Sequence, residues 1–200
     1  EDGALEVSMI KYLKNIINKF PEIIKGRAAT PAHDKLFVIR DDAEAKKLSE
    51  EQALAFQHTV AQLLFMSTRA RRDIQTAVAF LTTRVKSPDE DDWGKLKQVL
   101  KYLNGMKYLK LRLTVDNLGV LKWYDDGSHN VHWGCKGHGG AIFTMGRGAT
   151  SSYSRKLKLN TRSSTETELV TADMFMPEML WTLHFIQAQG YKAECIGLYQ

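Results

Sequence analysis

Two short segments hold the residue types that could do chemistry together. In Trp123-Tyr124-Asp125-Asp126-Gly127-Ser128, two carboxylates close a short apolar run, Leu118 to Trp123. In Ser163-Ser164-Thr165-Glu166-Thr167-Glu168-Leu169-Val170, a polar cap leads into acids and then apolar residues, the way a helix starts when its first turn presents a carboxylate. A strand-end Asp and a helix-start Glu converging on one point would hold Mg²⁺, a hard cation that takes a few carboxylates and completes its shell with water or phosphate oxygens. Directly before the second segment, Ser151 to Arg162 carries Arg155, Lys156, Lys158 and Arg162 with no acid. Cations for a phosphate backbone beside carboxylates for a metal fit phosphodiester chemistry. The plainer alternative for the basic run is a solvated edge strand protected by lysine.

Two other constellations invite different chemistry. His129, His132, Cys135 and His138 recur at three-residue intervals, a spacing zinc ligands can have. On an extended strand, however, residues three apart face opposite sides, which argues against one shared ion. Tyr124-Asp125-Asp126 resembles a polymerase Tyr-x-Asp-Asp motif, but the spacing is short by one residue.

The elements that must position these residues form two unlike halves. Leu5, Met9, Ile10, Leu13, Ile16, Ile17 and Phe20 have helical spacing, ended by Pro21, and Leu36 to Ile39 is a short extended run. Ser49-Glu50-Glu51-Gln52 is a capping box opening a helix to about Met66. A further helix is expected from about Arg72 to Arg84, and Ser87-Pro88-Asp89-Glu90-Asp91-Asp92 opens another through Leu103. After Gly105 the texture turns to strands: Leu109–Val115, Gly119–Tyr124, Ala141–Met145 and Ser151–Leu157, with turns at 116–119 and 146–148. A long helix over 164–189 and a strand over 194–199 follow. The fold class is α+β, a helical segment followed by a mixed sheet with one long helix packed on it and a last strand parallel to the first.

A net charge of +5 and 44% hydrophobic residues allow one large or two small cores and fit a polyanionic partner only loosely. No apolar run approaches the roughly 20 residues of a membrane span. The acidic N-terminus lacks a signal pattern, and Cys135 and Cys195 read as reduced thiols, with a single bridge as the alternative. An intracellular protein, cytoplasmic or nuclear, is expected.

From about residue 53 onward the chain resembles the C-terminal part of the Pol polyprotein of copia-type LTR retrotransposons, where reverse transcriptase leads into ribonuclease H. The matching segments are Val60 to Phe65 with Arg69 to Ile74, Asp92-Trp93 through Leu103, Trp123 to Ser128, Gly137-His138-Gly139-Gly140, and Ser163 to Val170. The resemblance implies a reverse-transcriptase-derived segment over 1–106 and a ribonuclease H-like domain over 107–200. It also implies an RNA–DNA hybrid as substrate, Mg²⁺ (or Mn²⁺) as cofactor, the rest of Pol as partner, and Asp126 and Glu168 as catalytic metal ligands. Glu166 then serves as a surface or capping residue. Gly139 and Gly134 depart from the family pattern. The family's next carboxylate follows a Leu-Tyr-Gln sequence, here Leu198-Tyr199-Gln200, so the domain is expected to be truncated and this chain inactive. Three functions are open: an active ribonuclease H, a nucleic-acid-binding remnant, and a transposon-derived fragment without activity.

Overall fold

A computed structural model describes residues 3–41 and 44–200. The chain divides into two compact units, Val7–Lys110 and a second made of Glu1–Glu6 with Leu111–Gln200.

The first unit is helical. Helices α1 (Ile10–Lys19), α2 (Glu50–Ser67), α3 (Gln75–Thr82) and α4 (Glu90–Gly105) bury one apolar stripe each, meeting around Leu13, Ile16, Phe56, Leu63, Phe80, Leu96 and Leu100. The capping box expected at Ser49 with Gln52 is present, and the expected helix start at Ser87 to Asp92 has one of its own, Asp89 with Asp92. The acidic start of α4 is therefore structural, and Arg84 reaches it, its Nε 2.8 Å from Asp92 Oδ2 and its Nη2 3.2 Å from Asp89 Oδ2. Three expectations need correction. The N-terminal helix begins at Ile10, because Leu5–Val7 is instead a strand (β1) paired with β2 (Leu111–Leu113). The Leu36 to Ile39 run forms turns, with Leu36 buried against the helices rather than in a sheet. The segment from Arg72 starts as a 3₁₀ turn, Arg72–Ile74. Just before it, the buried Arg71 is held by Asp73 and by the Met106 carbonyl.

The second unit carries the sheet. Strands β3 (Val120–His132), β4 (Lys136–Thr144), β5 (Ser151–Asn160) and β6 (Cys195–Tyr199) lie in the order β5-β4-β3-β6, with β3-β4-β5 antiparallel and β6 parallel to β3. Helix α5 (Ser164–Ala188) connects β5 to β6 and lays Thr167, Thr171, Phe175, Met179 and Thr182 on the sheet. These residues are three or four apart, one helical stripe. The α+β class holds, and the long helix and last strand fall where expected. The strand preceding the 116–119 turn does not join this sheet; β2 pairs with β1. The hairpin that does form turns at Trp133-Gly134-Cys135, where Gly134 and Cys135 take φ of 78° and 56°. A Cβ on Gly127 would lie 2.7 Å from Thr171 Oγ1 and 2.9 Å from the Thr167 carbonyl oxygen, so the absence of a side chain lets α5 approach β3 beside the candidate acids.

Candidate functional site

Alternation along β3 decides which acids face what. Leu121 and Trp123 are buried in the core with Phe175, and Asp125 and Gly127 continue that helix-covered face; Lys122, Tyr124 and Asp126 point to the other. Pairing of β3 with β6 runs to Tyr124↔Tyr199, and from Asp125 onward β3 has no strand neighbour on that side among the described residues. Gln200 reaches into this open edge, its Nε2 donating to Asp125 Oδ2 (3.4 Å) and approaching the Glu168 carbonyl (3.5 Å). Burial pushes the Asp125 carboxyl above its ordinary range, and the neighbouring charges of Asp126 and Glu168 push the same way, outweighing the Gln200 hydrogen bond. Asp125 Oδ1 is buried with no hydrogen-bond partner among the described residues. Asp125 and Glu168 therefore share the helix-covered side of this edge, whereas Asp126, the acid read from the sequence as the partner of Glu168, points to the opposite face of the sheet. Sequence reasoning selected Asp126 and Glu168 and passed over Asp125. Strand alternation, counted back from the core residue Trp123, was the signal that would have found it.

Glu168 owes its position to the way α5 starts. The Ser163 side chain accepts from Glu166 N–H, and Glu166 Oε2 accepts from Arg162 N–H at 2.6 Å, which makes Glu166 the capping acid. Behind it, His129 Nδ1 lies 3.0 Å from Thr161 Oγ1 and 3.1 Å from Thr167 Oγ1, and those two hydroxyls are 2.6 Å apart. This knot ties β3, the end of β5 and the first turn of α5 together.

The basic run is divided by the same alternation. Arg155 lies on the helix side, ion-paired to Glu178 at 2.9 Å and stacked over Tyr153. Lys156 and Lys158 lie on the open side, Lys156 Nζ donating to the Trp133 carbonyl (3.3 Å). Arg162 sits exposed in the turn before α5. The four cations therefore do not form one stripe. An edge strand presents odd and even residues to opposite faces, and a run of like residues in sequence is not a patch in space.

Nor does the histidine and cysteine series converge. His132 Nε2 and His138 Nδ1 share a 2.8 Å hydrogen bond, and His138 Nε2 is 2.6 Å from Ser154 Oγ. His129 faces the helix, and Cys135 is an exposed free thiol, as is Cys195. Among the described residues no three His, Cys, Asp or Glu side chains gather as a ready-made metal site. Burial holds both His132 and His138 down to about 4, with His138 and Lys156 adding to the effect on His132. Unfolded histidine takes up a proton near pH 6.5, so between there and pH 4 the unfolded chain binds more protons than the folded one. Stability is expected to be full above pH 6.5 and to fall by on the order of 3 kcal/mol toward pH 4. Urea titrations at pH 7, 5.5 and 4.5 measure this; a pH-independent midpoint in that range, or an unchanged slope in His132→Asn/His138→Asn, would contradict it.

Comparison with known proteins adds a lineage. The chain is 26% identical over 190 residues, 93% of its length, to the retrovirus-related Pol polyprotein from transposon TNT 1-94 of Nicotiana tabacum, and spans 14% of that polyprotein. It is also 26% identical over 127 residues to the secreted RxLR effector protein 161 of Plasmopara viticola, covering 61% of this chain and 87% of that one. No protein-family model matches it, and no solved structure matches it significantly. The similarity, which runs over 93% of this chain, supports a retrotransposon Pol origin. No helix among the described residues is long and apolar enough to cross a membrane.

Proposed function

We propose that residues 111–200 are a ribonuclease H-like, nucleic-acid-binding domain of copia-type retrotransposon Pol, and residues 7–110 the end of its reverse transcriptase. The observation that carries this reading is the placement of Asp125 on β3 and Glu168 at the start of α5 on one side of the sheet, with Gln200 reaching both. Asp125 and Glu168 are the proposed ligands for one Mg²⁺ or Mn²⁺; Asp126, the acid the resemblance points to, faces the opposite side and adds only its charge. The buried, unpartnered Asp125 Oδ1 fits such an ion, because a cation would relieve both its desolvation and the repulsion among the three acids. When bound, a divalent ion polarises a phosphodiester and activates water.

Hydrolysis of RNA in a hybrid by two-metal chemistry asks for more than this. Two metals must flank the attacking and leaving oxygens, and losing one position forfeits several kcal/mol of barrier lowering. Two carboxylates on one side of the sheet, one of them buried and pushed toward its neutral form, suit one ion better than two. Residues 1–200 are therefore proposed to bind RNA–DNA hybrid or other nucleic acid and to cleave it at no useful rate. Lys156, Lys158 and Arg162 supply the phosphate contacts; Arg155, already paired to Glu178, contributes less.

Two measurements test this. In a hybrid-cleavage assay with Mg²⁺ or Mn²⁺, residues 1–200 should match their Asp125→Asn variant; cleavage by the first that vanishes in the second would overturn the claim of inactivity. In binding titrations across salt, Lys156→Ala/Lys158→Ala/Arg162→Ala should reduce the slope of log K against log salt by about 2–3. Arg155→Ala should leave that slope nearly unchanged, and an equal effect of both variants would refute the division of the run.

A further inference from the structure

The sheet has one face under α5 and one without a covering element among the described residues of its own unit. On that second face Tyr124 pairs across strands with Tyr199 on one side and Ile142 on the other, and each of the three is 44–46% exposed. The two tyrosine rings stack at 5.0 Å between centroids and 21° between planes. Lys122 precedes them on the same face, ion-paired to Asp116 at 2.7 Å, so Lys156 and Lys158 are the cations that set its charge. Across the sheet, the edge strand β5 adds Ser152, Ser154, Lys156 and Lys158 at alternating positions. Among the described residues of these strands, Asp126 is the single carboxylate on this face.

We infer that this open face is a stacking platform for single-stranded nucleic acid, with bases on the Tyr124–Tyr199 pair and the backbone running toward Lys156 and Lys158. The inference rests on the nucleic-acid reading above and specifies the form of the ligand. A base offers a π-face to any aromatic ring, and such stacking is indifferent to sequence. Duplexes and hybrids keep those faces buried in their own stacks and offer only backbone. Lys156 lies two strands from Tyr124, about 10 Å, and four residues along, about 13 Å. An oligonucleotide of about four or more residues spans that diagonal. The charge of the rim selects the occupant: an apolar helix would have to bury Lys122, Lys156 and the serines against only three exposed apolar side chains, whereas a polyanion with flat bases satisfies both.

The tyrosine pair also joins β6 to β3, so the test must separate stacking from folding. Anisotropy titrations of labelled oligothymidylate and oligouridylate with residues 1–200 should show Tyr124→Ala/Tyr199→Ala weakening binding by about 5- to 150-fold. Tyr124→Phe/Tyr199→Phe should stay close to the unaltered chain. Equal affinity of the Ala variant, or an equal loss in the Phe variant, would overturn the inference. Photocrosslinking of thiouridine-bearing oligonucleotides to the unaltered chain reads the same contact without a substitution. Crosslinks on peptides holding Tyr124 or Tyr199 support it, and crosslinks confined to α5 or to residues 7–110 refute it. A hybrid that binds with the predicted salt slope while single strands do not would sink this inference alone; failure of every nucleic acid to bind would sink it together with the proposed function.

Discussion

Replacing Arg84 by alanine is expected to destabilise the helical unit by about 3–5 kcal/mol, a fall in melting temperature of more than about 10 °C. The guanidinium is the partner of two carboxylates that are almost wholly buried, Asp89 at 3% and Asp92 at 1% exposure. Burial already pushes the Asp92 carboxyl upward in spite of Arg84. Removing the cation would leave two like charges in a dry site with Lys95, 4.0 Å from Asp92 Oδ1, as their remaining cation, and the cost is that of poorly compensated burial rather than of one lost contact. Protonation relieves it, so the deficit should shrink on acidification: a carboxyl raised in the folded state loses stability as pH rises and regains it as pH falls. Adding Asp89→Asn and Asp92→Asn should recover most of the loss, since asparagine still caps a helix. Urea titrations of the three variants measure this, and a loss below about 1 kcal/mol for Arg84→Ala would contradict it.

Trp123→Ala should cost the sheet unit a similar amount, about 3–5 kcal/mol. Trp123 is fully buried and stacked between Phe143 and Tyr153, at 5.4 and 6.0 Å, so its loss opens a cavity where β3, β4 and β5 meet α5. Trp123→Phe should cost much less than its lost area implies. The indole Nε1 is buried without a hydrogen-bond partner among the described residues, and removing an unsatisfied donor returns part of the difference. Amide-hydrogen exchange resolves the effect by strand: protection should fall across β3, β4 and β5 in the Ala variant and hold in the Phe variant. Unchanged protection in Trp123→Ala would show that this ring is not the centre of that core.

These two sites also show which features local sequence specifies. Helix starts were legible because a cap is a local hydrogen-bond pattern: Ser49 with Gln52, Asp89 with Asp92, and Ser163 with Glu166 are each written within four residues. The stripe on α5 and the parallel placement of β6 follow from apolar spacing and from a crossover helix, which also act locally. Strand partners are set at long range. Nothing in Leu111 to Leu113 says that it pairs with Leu5–Val7 rather than with β3, and the turn at Trp133-Gly134-Cys135 places a cysteine at positive φ, which no local rule favours. The site was half legible. Residue types marked Glu168 and the Asp125-Asp126 pair, but which Asp is buried depends on the phase of β3, and that phase is fixed by Trp123 sitting in the core. The same phase separates Arg155 from Lys156 and His129 from His132.

Asp125 and Glu168 are proposed to form a site for one divalent ion beside a nucleic-acid surface. Mn²⁺ titration of residues 1–200, with free Mn²⁺ read by electron paramagnetic resonance, tests it most directly. One bound ion per chain is expected, lost in Glu168→Gln and in Asp125→Asn, and accompanied by a rise in melting temperature that neither variant shows. Asp125→Asn should also raise the metal-free melting temperature, because it removes a buried charge from beside two others, whereas Asp126→Asn should leave the ion bound. Binding that survives both Glu168→Gln and Asp125→Asn, or no binding at all at millimolar Mn²⁺, would contradict the assignment.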